Sequence, residues 1–313
     1  MENVSRINTN FILTGLVEME NLRYLYSLIY LIIYVMMLML CSAIITLVWL
    51  EESLHEPMYI FIANLVLNAM VGGSAGFPKL VFDLLLGFTN IQISGCLFQA
   101  FFIESFAYVE ILIFTIMAFD RYLAVGHPLR YPVLMSNEKA VKSLASIWII
   151  IVMIRIIGVA LTARLPLCGM NINSVYCETM SLTRLACGDT TINNVYGTTG
   201  TLLIVTLSIL VVVYCYIRTF LICLKISTEA YQKAIQTLVT HILAFSTYMA
   251  ATLFVAFRYR INIGSVSTIA HTVISMTGLT ISVTLNPVIY GIRTEALRIK
   301  MINTIKKIHL SKS

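Results

Sequence analysis

Apolar runs of about twenty residues recur along this chain, separated by short polar stretches, and each is long enough to cross roughly 30 Å of hydrocarbon as a helix. Composition agrees: 59% of the 313 residues are hydrophobic, 12% are charged and the mean hydropathy is +0.89, whereas soluble domains carry roughly 25% charged residues. A soluble fold has no interior large enough to hide that much apolar surface. The chain therefore belongs in a bilayer, as an all-α membrane protein.

Spans are expected at about 24–50, 57–86, 93–126, 140–163, 195–226, 230–257 and 266–290, which makes a seven-helix bundle. This divides the chain into an outer N-terminus (1–23), the membrane domain (24–290) and a cytoplasmic tail (291–313). Residues 1–20 carry Glu2, Arg6, Glu18 and Glu20 among polar neighbours, without a basic region followed by an apolar core, so no cleaved signal peptide is expected. The first run, Tyr24 to Leu50, then serves as both targeting signal and span. The second span is the least regular: Gly72, Gly73 and Pro78 interrupt it, Lys79 and Asp83 follow, and its outer half is expected to kink or to snorkel.

An odd number of spans puts the termini on opposite sides. With the N-terminus outside, the outer connections hold Arg6, Arg23, Arg164, Arg184, Arg258 and Arg260. The inner ones hold Arg121, Arg130, Lys139, Lys142, Arg218, Lys225, Lys233, Arg293, Arg298, Lys300, Lys306, Lys307 and Lys312. That excess favours N-out and C-in, although the first inner loop, with Glu51, Glu52, His55 and Glu56, is acidic. Asn3-Val4-Ser5 is a glycosylation acceptor triplet on the same outer side. Cys168, Cys177 and Cys187 lie in the long fourth-to-fifth connection and Cys96 opens span three, so four thiols share an oxidising compartment and read as two disulfides. Four cysteines permit three pairings. Cys41, Cys215 and Cys223 fall within spans and read as packed thiols.

Several segments, in order along almost the whole chain, resemble signatures of the odorant (olfactory) receptors among rhodopsin-type G-protein-coupled receptors. Leu54-His55-Glu56-Pro57-Met58-Tyr59 is similar to the opening of their second span. Met117-Ala118-Phe119-Asp120-Arg121-Tyr122-Leu123-Ala124-Val125, then His127-Pro128-Leu129-Arg130-Tyr131, resembles the end of their third, with Phe119 where Tyr is usual. Lys233-Ala234 with Thr237 and His241 resembles the start of span six, and Asn286-Pro287-Val288-Ile289-Tyr290 the end of span seven. The stretches around Cys168, Cys177 and Cys187 resemble the family's second outer loop, a resemblance that implies the pairs Cys96–Cys177 and Cys168–Cys187.

Departures accompany the match. Aligning Asn64-Leu65 puts Ala69, beside Asn68, where rhodopsin-type receptors usually hold a sodium-binding Asp, which speaks against a sodium-linked mechanism; Glu110 does match the family's acidic position in span three. Cys215 stands where Ser usually precedes the span-five Tyr, here Tyr216. The departures around Asn68 resemble fish-type odorant receptors and would favour water-soluble ligands.

The resemblance implies a mechanism. Asp120 holds Arg121 in the resting state, and release lets Arg121 meet a heterotrimeric G protein of the stimulatory olfactory type, raising cyclic AMP, with Tyr216 and Tyr290 helping to stabilise the active packing and Phe119 and Tyr122 belonging to the same coupling motif. The bland reading of Asp120-Arg121 is a helix-end pair near water. Pro287 lacks an amide hydrogen and is a hinge hypothesis, with Asn286 bridging the freed backbone groups through water. His241 reads as a satisfied structural histidine or a family lock to span three. The tail places Leu297, Met301, Ile305 and Ile308 on one face and Arg298, Lys300, Lys306 and Lys307 elsewhere, a basic amphipathic helix suited to an anionic inner leaflet. Membrane lipids are therefore expected partners and nucleic acid is not.

The default ligand cavity is the outer third of the bundle. Ile103, Glu104, Ala107 and Tyr108 would line it on span three, and family pocket positions add Thr179, Gly200, Thr201, Ile204, Thr252, Ala256, Met276 and Leu279. An apolar cavity with one acid suggests a small organic molecule, a basic nitrogen being one option; the competing reading pairs Glu104 with Arg155 across spans three and four. No cofactor or metal is expected. Residues 266–290 hold no lysine for a retinal Schiff base, no internal repeat suggests a transporter, and no cluster has the spacing of an enzyme's metal ligands or nucleophile. A non-olfactory chemosensory receptor is the nearer alternative. The resemblance implies the plasma membrane of olfactory sensory neuron cilia.

Overall fold

The computed structural model describes residues 10–224, 228–257, 268–294 and 297–303. Asn3 lies outside them, as do the side chains of Lys233, Ala234, Thr237 and Ala256. Seven long helices occur among the described residues: α1 Arg23–Leu50, α2 Pro57–Leu86, α3 Ile93–Gly126, α4 Asn137–Ala163, α5 Thr191–Cys223, α6 Thr228–Phe257 and α7 Thr268–Arg293. Each expected span falls on one helix. Six are long and apolar enough to cross a membrane, and in α6 the apolar stretch among described residues is Leu238–Leu253. Leu28, Ile32, Met36 and Met39 on α1, Ile149 and Met153 on α4, and Leu203, Leu207 and Leu210 on α5 face outward. Apolar cover of that extent is a surface for lipid rather than for water, and the protein is a multi-pass membrane protein.

Helix ends follow local chemistry. Pro57 begins α2, where its missing amide hydrogen costs nothing, and the Ser136 hydroxyl accepts from the Lys139 amide at 3.3 Å to start α4. Gly87, with φ 74°, ends α2 in the left-handed conformation that glycine adopts without strain. Just before α5, Asp189 accepts from the Thr191 amide at 2.9 Å and hydroxyl at 2.6 Å; those donors hold its exposed carboxyl below the usual carboxylate range.

The helix α3 runs through the middle, buried at intervals from Cys96 to Leu123. In lipid, helices associate through close packing and polar contacts more than through hydrophobicity, and both appear here. The second-span glycines leave α2 continuous and serve that packing. A Cβ on Gly72 would lie 2.4 Å from the Phe106 ring of α3, and one on Gly76 would lie 2.6 Å from Leu279 of α7. Trp148 Nε1 of α4 donates to Asn64 Oδ1 of α2 at 3.1 Å, and Tyr196 of α5 donates to the Ile154 carbonyl of α4 at 2.8 Å.

At one end of the bundle a small sheet in the order β2-β1-β3 forms from β1 Asn10–Leu13, β2 Asn90–Gln92 and β3 Asn171–Ile172. The strand β1 pairs antiparallel with β2 and parallel with β3. Phe11 and Leu13 point beneath it and are almost fully buried. Beyond α7, residues 297–303 are helical; Leu297 is buried, Met301 packs on the core, and Lys300 reaches Glu51 of the acidic first connection at 2.5 Å. The expected tail positions Ile305, Lys306, Lys307 and Ile308 lie outside the described residues.

Candidate functional site

Both implied disulfides are present. Cys96 pairs with Cys177 and Cys168 with Cys187, while Cys41, Cys215 and Cys223 are buried and unbonded. The first bond ties the connection between α4 and α5 to the top of α3, and the Cys177 amide donates to Gln99 Oε1 at 2.9 Å. The loop is thereby laid over the bundle.

Beneath it lies a cavity of about 180 Å³ bounded by α3, α4, α5, α6, α7 and that loop. Ile103, Glu104, Ala107, Tyr108, Thr179, Thr201, Thr252 and Leu279 line it. Gly200, Ile204 and Met276 do not; the side chain of Ala256 is outside the described residues. The wall of α5 is Gly197, Thr201 and Val205, a stripe at intervals of four, and residues 200 and 204 fall about 100° round the helix from it. Met276 is buried in core packing, and Gly278 and Ser282 face the cavity from α7 with Leu279. Phe106, Ile111, Tyr176, Glu178 and Tyr248 also line it. Helical spacing from Thr201 would have found Gly197 and Val205; nothing in the sequence aims Tyr176 or Glu178 inward.

Of the two readings of Glu104, the geometry shows the ion pair. Arg155 Nη2 donates to Glu104 Oε2, and the Thr179 amide and hydroxyl donate to Oε1 at 2.7 and 2.8 Å. Arg155 is 4% exposed and sits 5.6 Å from the Tyr108 ring centroid. One acid thus joins α3, α4 and the covering loop.

Half-way down, Glu110 is fully buried between α2, α3 and α7. Asn68 donates to its Oε2 at 2.6 Å and to the Phe106 carbonyl at 3.1 Å, and Asn286 donates to its Oε1. The Asn286 amide thus serves a side chain of α3, one residue before Pro287, which lies inside α7.

At the opposite end from the sheet, Arg121 Nη2 meets Asp120 Oδ2 at 2.9 Å, and Asp120 is fully buried. Tyr131, in the connection after α3, donates to Asp120 Oδ1 at 2.8 Å. His241 is buried; its Nδ1 meets the Tyr290 hydroxyl of α7 at 3.1 Å, and its Nε2 has no hydrogen-bond partner among the described residues, so the ring is only half satisfied. Phe119 is exposed with its ring 6.3 Å from Tyr122, and Tyr216 packs partly buried against the core.

A cavity under a disulfide-tied loop, a buried polar centre and an acid–arginine pair at the far end are thus strung along one central helix of a seven-helix bundle. Squid rhodopsin has the same fold, with a TM-score of 0.70 at 17% identity over 92% of this chain and 87% of that one. The olfactory receptor family model matches residues 26–312. Olfactory receptor 10A3 of Homo sapiens is 32% identical over 92% of this chain and 91% of its own length. Olfactory receptor 5AP2 of Mus musculus is 32% identical over 96% and 93%. The chain belongs to the olfactory receptor family of class A G-protein-coupled receptors.

Proposed function

We propose that this receptor binds a small organic odorant in the cavity beneath the outer loop and activates a stimulatory heterotrimeric G protein of the olfactory type, raising cyclic AMP. The cavity carries this reading: eight positions expected to hold ligand line one cavity in a member of this family. Orientation follows from chemistry. Two disulfides at the sheet end need an oxidising compartment, and Arg121, Arg130, Lys139, Lys142, Arg218, Arg298 and Lys300 lie toward the other end, which supports an outward N-terminus and a cytoplasmic C-terminus; membership of the olfactory receptor family supports a place in olfactory sensory neuron cilia.

Coupling is a population shift between two packings. Ligand contacts to α3, α5, α6 and α7 bias the bundle, the Glu110 centre passes the bias inward, and the Asp120–Arg121 pair opens to the G protein, with Tyr216, His241 and Tyr290 repacking. The test is a cyclic AMP assay in cells displaying the chain, screened with mixed odorants beside Arg121→Ala. A response abolished by that change at equal surface display supports the reading. Solute or ion flux without a cyclic AMP response would replace it with a transporter.

A further inference from the structure

The hydroxyls lining the cavity are not equally occupied. The Thr201 hydroxyl donates to the Gly197 carbonyl at 2.6 Å, which leaves Tyr108 as the donor in its 2.7 Å bond to Thr201. Tyr248 donates to the Ala107 carbonyl at 2.9 Å, and Thr252 bonds the Tyr248 hydroxyl. Ser282 also lines the cavity, yet its hydroxyl has no hydrogen-bond partner among the described residues. With Gly278 and Asn286, one turn to either side, it lies on the inward face of α7. The 8% of Ser282 that stays exposed therefore opens on the cavity.

Neighbouring helices fix the depth of Ser282. Away from the covering loop, the lining runs from Ile103 to Ile111 on α3, from Gly197 to Val205 on α5 and from Val255 to Tyr248 on α6. A Cβ on Gly278 would lie 2.6 Å from Val255, so one turn further in Ser282 stands about level with Ala251 and Thr252. The charged groups Glu104, Arg155 and Glu178 belong to the loop end, where Thr179 bonds Glu104. We infer that Ser282 anchors the ligand, and that the ligand is a neutral, oxygen-bearing molecule whose oxygen sits at the deep end and whose hydrocarbon points toward the loop. This rests on the reading of the cavity as the ligand site. A buried hydroxyl left unpaired is costly, and a ligand oxygen that meets it removes that penalty. The hydroxyl both donates and accepts, so alcohols, aldehydes and ketones all qualify. An ammonium or carboxylate at that depth would find hydroxyls in place of a counter-charge. The bond also falls on the helix whose next turn carries Asn286, bonded to Glu110, so a ligand held there acts on α7 directly.

The test is a saturation-transfer NMR titration of the purified full-length receptor with hexanol, hexanal, hexylamine and hexanoate. Because the Ser282 hydroxyl has no protein partner, Ser282→Ala orphans nothing and should leave folding and surface display intact. Hexanol and hexanal should bind ahead of the two charged probes. Ser282→Ala should weaken both about five- to tenfold, Ser282→Thr should keep most of their affinity, and Tyr176→Phe, at the loop end, should leave it unchanged. Loss of affinity in Tyr176→Phe but not in Ser282→Ala would turn the ligand round and overturn the inference. Hexylamine or hexanoate binding best, or no binding by either neutral probe, would overturn it too. Gly197→Leu separates the anchor from the cavity: nothing lies within 4 Å of a Cβ there, so the side chain has room to enter the ligand space. Binding that Gly197→Leu abolishes and Ser282→Ala spares would fault the anchor alone, whereas binding that neither change touches would fault the reading of the cavity itself.

Discussion

The Tyr131 hydroxyl donates to one oxygen of Asp120 at 2.8 Å while Arg121 holds the other at 2.9 Å. Both carboxylate oxygens are therefore engaged, one by the neighbouring residue on α3 and one by the connection that follows it. If release of Asp120 is the activating event, Tyr131 is a second clasp on it. Removing a neutral donor from this buried acceptor should cost about 1 kcal/mol or more, a roughly fivefold or larger shift toward the active state. Tyr131→Phe is thus expected to raise ligand-free cyclic AMP severalfold, and Asp120→Asn to raise it further. Unchanged basal signalling in Tyr131→Phe at equal surface display would remove Tyr131 from the lock.

The Glu110 centre is the clearest test of stability. A fully buried carboxyl bonded by Asn68 and Asn286 leaves an orphaned acceptor when either amide is removed, which costs about 1–3 kcal/mol. Asn68→Leu and Asn286→Leu should each lower the thermal stability of the purified receptor, and Glu110→Gln should lower it less than Glu110→Leu. The two asparagines share one partner, so a double-mutant cycle should show coupling of about 0.5 kcal/mol or more. Strict additivity would mean that the three residues do not act as one unit.

The glycines of α2 separate two explanations of a small residue in a span. A Cβ at Gly72 would strike the Phe106 ring, whereas nothing lies within 4 Å of one at Gly200. Gly72→Ala should therefore destabilise by about 1–3 kcal/mol through overpacking. Gly200→Ala should be neutral or stabilising by up to about 1 kcal/mol, because alanine is the better helix former. Melting curves of the two variants side by side settle the contrast, and equal effects would contradict it.

These sites differ in how far the sequence exposes them. Long apolar runs mark six of the seven helices because lipid demands them, α6 carrying the shorter run Leu238–Leu253, and the expected limits miss chiefly where a helix continues into polar residues: α4 begins at Asn137, ahead of the apolar run from 140, because Ser136 caps it. Asp120-Arg121 and the cysteines are legible because several residue types recur in fixed order. The sheet is not legible. Its strands have two to four residues, and β1 becomes a strand only by meeting segments some eighty and more positions away. The Glu104–Arg155 pair lies between: each charge is visible inside a span, but the sequence gives no angle between α3 and α4, and so two readings stood until the helices were placed.

The outer sheet yields the remaining prediction. The Ile12 amide donates to the Met170 carbonyl at 2.7 Å and the Leu13 amide to the Thr89 carbonyl at 2.8 Å, while Thr14 Oγ1 donates to the Ile172 carbonyl at 3.1 Å. Gly15 follows so closely on the same loop that a Cβ there would lie 2.8 Å from Ser174, Val175 and Thr272. The segment before α1 is thus stitched to the loop that roofs the cavity, with Phe11 and Leu13 packed under the sheet. Proline at position 12 would remove the donor to Met170 and disfavour the pairing of its strand. Ile12→Pro should loosen the roof without touching a cavity residue, so ligand should both enter and leave faster, with the dissociation rate rising the more. Gly15→Val should act in the same direction through steric clash. Stopped-flow release of a bound odorant from purified receptor measures this, and a dissociation rate unchanged in both variants would mean that the N-terminal strand decorates the outer end and does not close it.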